Sequence, residues 1–184
     1  TAEIIETEQI TEIVPLLDAV FSFIGNVTVL EGSGTATISA TLNQTPTTPL
    51  VINLSNGAII TFSTGYIPGT AVASTPFTIQ GDDVYVDGEN YTISVSSVTG
   101  GGFASVDSSG TGTVTVSDTV DTTIVSITTE NVNEDTGIVN FTVNLSNPGL
   151  TDVTVTTNQG SVIIPAGQTT GVISVDITDS DSII

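Results

Sequence analysis

Carboxylates are the only charged side chains in this protein. Twenty Asp and Glu stand against no Lys, Arg or His, giving a formal charge of −20, and Cys is absent as well. The chain therefore has no imidazole base, thiolate nucleophile, Schiff-base amine, guanidinium clamp or soft metal ligand. Ser-His-Asp and Cys-His catalysis are excluded by composition. Nucleic acid is excluded as a partner on electrostatic grounds, since binding a polyanion depends on Lys and Arg displacing its counterions. The remaining chemistry is that of oxygen: carboxylates, hydroxyls, amides and carbonyls, a donor set suited to a hard cation such as Ca2+.

The acids gather at the ends of apolar runs: Glu31; Asp82 and Asp83; Asp87 and Glu89; Asp118 and Asp121; Glu130, Glu134 and Asp135; Asp179 and Asp181. Two carboxylates ~4 Å apart repel by roughly 1 kcal/mol in water and ~4 kcal/mol at an effective dielectric near 20, so clusters without a basic neighbour favour bound cations. Calcium takes six to eight oxygens in loose geometry that loops can supply. A solvated acidic surface is the alternative. The Asp135-Thr136-Gly137 triplet has the letters of an aspartic-protease signature, but its repeat partner is the loop Glu31-Gly32-Ser33-Gly34. Glycosidase chemistry would need an aromatic-rich sugar cleft, and the chain has three Tyr, six Phe and no Trp. No enzyme activity is expected.

Strands must position these acids. Apolar residues make up 38% of the chain, too many for a disordered acidic segment, and Val, Ile and Thr suit a pleated, half-buried surface. Ala36, Ile38, Ala40 and Leu42 alternate with hydroxyl residues, and so do Leu50, Ile52 and Leu54; Tyr91, Ile93 and Val95; and Val114 and Val116. Asn56-Gly57, Pro68-Gly69, Asp87-Gly88 and Gly100–Gly102 punctuate the runs as turns. Many short strands at this spacing predict an all-β chain of sandwich type. No apolar run reaches the ~20 residues that span a bilayer, the longest being Ala19–Ile24, so membrane insertion is not expected. A start at Thr1 without Met reads as processed or excised.

The pattern repeats. LEGSGTATISATL and VNEDTGIVNFTVNL align at an offset of 103 positions, Glu31 over Glu134 and Leu42 over Leu145, and Leu50–Ile60 falls over Val153–Ile163 at the same offset. After an insertion of about five residues in the first copy, FTIQGDD falls over VDITDSD, with Asp83 over Asp181. Glu31, Asp82 and Asp83 in one copy, and Glu134, Asp179 and Asp181 in the other, thus form two related acid sets. The organisation expected is an N-terminal extension at 1–17, an Ig-like β-sandwich at 18–117, a short rigid linker at 118–123 and a second, incomplete sandwich at 124–184. The linker is too β-branched to be flexible and suggests domains stacked end to end.

The second copy lacks counterparts of DVYVDG, NYTISVSSV and GTGTVTV. A sandwich without its last strands leaves an apolar cleft and unpaired edges. Either the parent array continues, or another chain completes the second sandwich by donor-strand complementation. Residues 1–17, with Ile4, Ile5, Ile10, Ile13 and Val14, are one available donor, although Ile10, Ile13, Val14 and Leu17 also fit a helical stripe until Pro15 interrupts it. Asn-x-Ser/Thr triplets at Asn26, Asn43, Asn53, Asn90, Asn140 and Asn144 match the glycan-acceptor pattern, which a chain this rich in Ser and Thr also produces by chance, and those at Asn140 and Asn144 point away from Phe141, Val143 and Leu145; glycans are expected on them only where the source has the machinery.

QGDDVYVDGENYTISVSSVTGGGFASVD followed by GTVTVSDTVDTTIVSI resembles the Ig-like extender repeats of giant bacterial repeats-in-toxin surface adhesins, over nearly everything after residue 18. DDVYVDG, SSVTGGGF and SDTVDTT are the specific segments. The resemblance implies secreted, cell-surface sandwiches of about a hundred residues in tandem, stiffened by calcium at and near the linkers, and points to Asp82, Asp83, Asp118 and Asp121 as metal ligands. It implies adjacent repeats as partners. Two departures, the lack of any base and the short second copy, leave a filament subunit assembled head to tail from neighbouring copies as the alternative.

Overall fold

A computed structural model describes residues 17–132 and 137–178. These residues form strands, turns and bends, and among them no helix is long and apolar enough to cross a membrane. The N-terminal donor segment apart from Leu17, the Asp135-Thr136 of the protease-like triplet, and Glu134, Asp179 and Asp181 lie outside the described residues. The chain divides into two compact units. The first runs to Gly81 and resumes over Gly88–Asp118, while the second combines Asp82–Asp87 with the chain from Thr119 onward.

The first unit is a two-layer sandwich. In one layer β1 (Asp18–Phe23) is flanked by β11 (Ser105–Asp107) in parallel and by β4 (Ser39–Leu42) antiparallel. β7 (Val72–Ala73) pairs with β4, and β8 (Phe77–Thr78) with β3 (Thr35–Ala36). In the other layer β12 (Gly112–Ser117) lies between β2 (Val27–Leu30), to which it is parallel, and β9 (Glu89–Ile93), to which it is antiparallel. The chain leaves β9 through Ser94 into β10 (Val95–Gly100), which pairs with β5 (Leu50–Leu54), and β5 pairs with β6 (Ile59–Phe62). The run NYTISVSSV thus serves two partners, with an irregularity between Val95 and Ser97 where the register shifts.

The alternating residues account for the core. Ile38, Ala40, Leu42, Leu50, Ile52, Ile60, Phe62, Ile93 and Val114 are wholly inaccessible. Phe62 stands edge-on to Phe21 and to Tyr66, with ring centroids 6.2 and 4.9 Å apart. The layers touch closely at Gly112, where a Cβ would fall 2.3 Å from Ile38 Cδ1 and 3.1 Å from Phe23 Cδ1. Tyr66 ties down the end of β4: its hydroxyl accepts the Leu42 N–H at 2.9 Å and donates to the Thr70 carbonyl at 2.7 Å.

The second unit repeats part of this plan. β14 (Ile138–Leu145) is flanked by β13 (Val125–Thr129) and β17 (Thr170–Asp176), and β15 (Val153–Thr157) forms a hairpin with β16 (Gly160–Ile164). Its core is small, with Val143, Leu145, Ile164 and Ile173 buried and Phe141, Val153, Val155, Val162 and Val175 packed around them. The pairing of Ala36 with Phe77 recurs as Val139 with Val175, as the offset and its five-residue insertion require. The offset does not survive the β15–β16 turn. Leu50 faces Phe62 and Ile52 faces Ile60, whereas Val153 faces Ile164 and Val155 faces Val162. One residue fewer in the second connection moves the counterpart of buried Ile60 to Val162, and Ile163 is 61% exposed.

Candidate metal centre

Among the described residues, one group of carboxylates converges: Glu31, Asp87 and Asp118, with one oxygen from each within 4.8 Å of the others. Strand register explains the convergence. The last pair between β12 and β2 is Ser117 with Leu30, and the Glu31 N–H continues the ladder to the Ser117 carbonyl at 3.0 Å. One step further brings Asp118 beside Glu31. On the other side of β12, Val116 faces Glu89, so two steps further bring Asp118 opposite Asp87. Three neighbouring strands therefore each deliver an acid at one end of one sheet, where strand spacing is about 4.8 Å.

Gly88 permits this close approach. A Cβ on it would lie 3.0 Å from the Val116 carbonyl oxygen and 3.1 Å from the Asp118 nitrogen, so the Asp-Gly pair lets the chain pass tightly beside β12 just as it supplies an acid. Asp87 is bonded to Gly88, and the ladder of the first unit sets its place. Alternation along β12 puts Asp118 on the same side as the buried Val114 and Val116, at the mouth of the core. Glu31 is 3% exposed, Asp118 is partly buried and Asp87 is exposed.

The donor set fits a hard divalent cation. It is all oxygen, and burying a carboxylate such as Glu31 close to two others is costly unless positive charge compensates it. No basic residue in the chain can supply that charge, and an all-oxygen set of this kind suits a divalent cation. Glu31 and Asp118 belong to the acids singled out by clustering and resemblance. In the sequence Asp87 stands within the strand-end acids and as part of a turn, but not among the expected metal ligands. The repeat alignment does not mark it, and only the pairing of β9 with β12 brings it to Asp118.

The other described acids have different surroundings. Asp82 accepts a hydrogen bond from the Thr119 hydroxyl at 2.6 Å, and Asp121 lies 3.5 Å from the same hydroxyl. Asp83 caps its own turn by accepting the Tyr85 N–H at 2.8 Å. Two exposed acids are held below the usual carboxylate range by local hydrogen bonds: Asp107 by the Ser109 hydroxyl and N–H, and Asp176 by those of Thr178. In the first unit Glu89 and Tyr91 line an open concavity of about 570 Å³ with Phe77, Ile79 and Gln80. Burial raises the Tyr91 phenol above its ordinary value, and the Glu89 carboxylate raises it further.

Comparison with known proteins gives the following. The chain matches the family model described as "LapA domain" twice, over residues 18–119 and 121–184. No curated protein matches it in sequence. Among solved structures it is similar to CBD12 from CALX1.2, at 16% identity and a TM-score of 0.42 over 89% of this chain and 77% of that one. It is also similar to the calcium binding domain CBD12 of CALX1.1, at 14% identity and a TM-score of 0.38 over 85% of this chain and 74% of that one. The two family matches cover nearly all of the chain, and the protein belongs to the LapA domain family, a family named for a large adhesin of bacteria.

Proposed function

We propose that this chain is a structural extender module of a bacterial surface adhesin, stiffened by calcium and exposed at the cell surface, with adjacent repeats as its partners. The observation that carries the calcium reading is the convergence of Glu31, Asp87 and Asp118 at the ends of three neighbouring strands. An ion held there would tie the end of β2, the turn before β9 and the end of β12 to one point. Pulling any of these strands from the sheet would then require breaking coordination as well as backbone hydrogen bonds. Asp82, Asp83 and Asp121 would add acidic character to the chain flanking that point, and Glu134, Asp179 and Asp181 would be the corresponding acids of the second repeat.

Family membership supports the adhesin setting, and composition supports a mechanical rather than a catalytic role. An ion that binds only the folded state stabilises it by RT ln(1 + [Ca2+]/Kd), roughly 2.7 kcal/mol at a hundredfold excess over Kd. The test is thermal unfolding in calcium and in chelator. The melt should rise with calcium concentration, whereas a melt identical in chelator and in excess calcium would sink the calcium reading.

A further inference from the structure

An edge strand of the first unit carries an aromatic ring and a carboxylate on its inward side. Glu89 pairs with Val116 and Tyr91 with Val114, and directly opposed residues point the same way, so both side chains stand on the side of the sheet that buries those valines. Along β9 that side opens toward solvent: Ile93 is wholly buried, Tyr91 is partly buried and Glu89 is exposed. β9 is an edge, pairing among the described residues with β12 alone. The concavity of about 570 Å³ lies against it. Phe77 and Ile79, each 7% exposed, line it from the core, and Asn56 of the β5–β6 turn and Gln80 bring amide groups to its wall. Burial, and after it the Glu89 carboxylate, raises the Tyr91 phenol, so ring and charge act on the same space.

We propose that this concavity receives a guanidinium group, the side chain of an arginine presented by a partner protein. The planar, weakly hydrated face of a guanidinium stacks on an aromatic ring, here Tyr91, and its fork of N–H donors matches a carboxylate, here Glu89. The Asn56 side-chain oxygen accepts the Ala58 N–H at 3.2 Å and keeps a second lone pair for another donor. Charge selects this occupant. A formal charge of −20 repels anionic ligands, and a neutral ligand gains only hydrogen bonds from the carboxylate. A lone carboxylate beside a ring is a poor cage for a hard metal ion, which takes six to eight oxygens. No residue of this chain, or of an identical copy, is basic, so the arginine belongs to a different protein. None of the residues that would hold it is in the group of Glu31, Asp87 and Asp118.

The experiment titrates blocked arginine, N-acetyl-arginine N-methylamide, into the full chain with calcium present and follows backbone amide shifts by NMR. Amides of 77–80 and 89–91 should shift saturably. Blocked citrulline, the neutral isostere, should bind about fivefold or more weakly. Glu89→Gln should weaken arginine binding about twofold to fivefold, and Tyr91→Leu, which keeps apolar volume without a π face, by a similar factor. Asp107→Asn, at an exposed acid that does not line the concavity, should change nothing. The proposal is overturned if no saturable shift appears at those amides, if citrulline binds equally well, if Asp107→Asn weakens binding as much as Glu89→Gln, or if Glu89→Gln and Tyr91→Leu both leave the affinity intact.

Discussion

Replacing Asp87 by Asn should change stability in opposite directions with and without calcium. The closest oxygens of Glu31, Asp87 and Asp118 lie within 4.8 Å of one another, and two unit charges at that separation repel by about 0.9 kcal/mol in water and ~3.5 kcal/mol at a dielectric of 20. Asp87 is exposed, so the aqueous figure governs its two pairs, and removing its charge relieves roughly 2 kcal/mol at low salt. In chelator the variant should therefore melt higher than the parent, by roughly 4–8 °C for a chain of this size. In excess calcium the same change removes a ligand. Each tenfold loss of affinity costs about 1.4 kcal/mol of the stability that the ion confers, and the variant should melt lower than the parent. Scanning calorimetry of both proteins in both buffers reads the four values. A shift of the same sign in the two buffers would refute the reasoning, because Asp87 would then act through packing or local hydrogen bonding rather than through a shared ion.

Tyr66→Phe should destabilise the first unit by about 1–3 kcal/mol, since it strands the buried Leu42 N–H that the phenol now satisfies; urea unfolding with an unchanged m-value would check this. Gly112→Ala should cost about 1–3 kcal/mol by driving a methyl into Ile38 and Phe23, and methyl shifts of Ile38 in NMR spectra should report the strain. For pH, Asp107 and Asp176 have depressed values in the folded protein, so the unfolded chain takes up their protons first as pH falls. Their contribution is complete above the unfolded carboxylate range and is lost as pH drops through the folded values. Ser109→Ala should move the Asp107 titration, followed by carboxyl carbon shifts, back up toward the ordinary range while leaving Asp176 unchanged.

Period-two alternation made the inward residues of β4, β5, β9 and β12 readable, because each of these strands buries one face and wets the other. The end of a strand is also where an acid can stand without entering the core, so Glu31 and Asp118 were visible as members of a strand-end set. Asp87 was in that set too, but its partnership with Asp118 was not legible, because it depends on which strand lies beside β12 and in what register, a non-local fact that no window of sequence contains. The split of NYTISVSSV between two partners escaped for the same reason, since alternation is blind to the neighbour a strand chooses. In the β15–β16 hairpin, a fixed offset carried through a shortened turn exchanged the in and out positions of Val162 and Ile163.

The central claim is that Glu31, Asp87 and Asp118 hold a calcium ion at the ends of three adjacent strands. Anomalous diffraction from crystals grown with calcium tests it most directly. The account predicts an anomalous peak with a carboxylate oxygen of each of the three residues at about 2.3–2.6 Å. A peak elsewhere on the chain with none at this position, or no peak in crystals grown at saturating calcium, would contradict it.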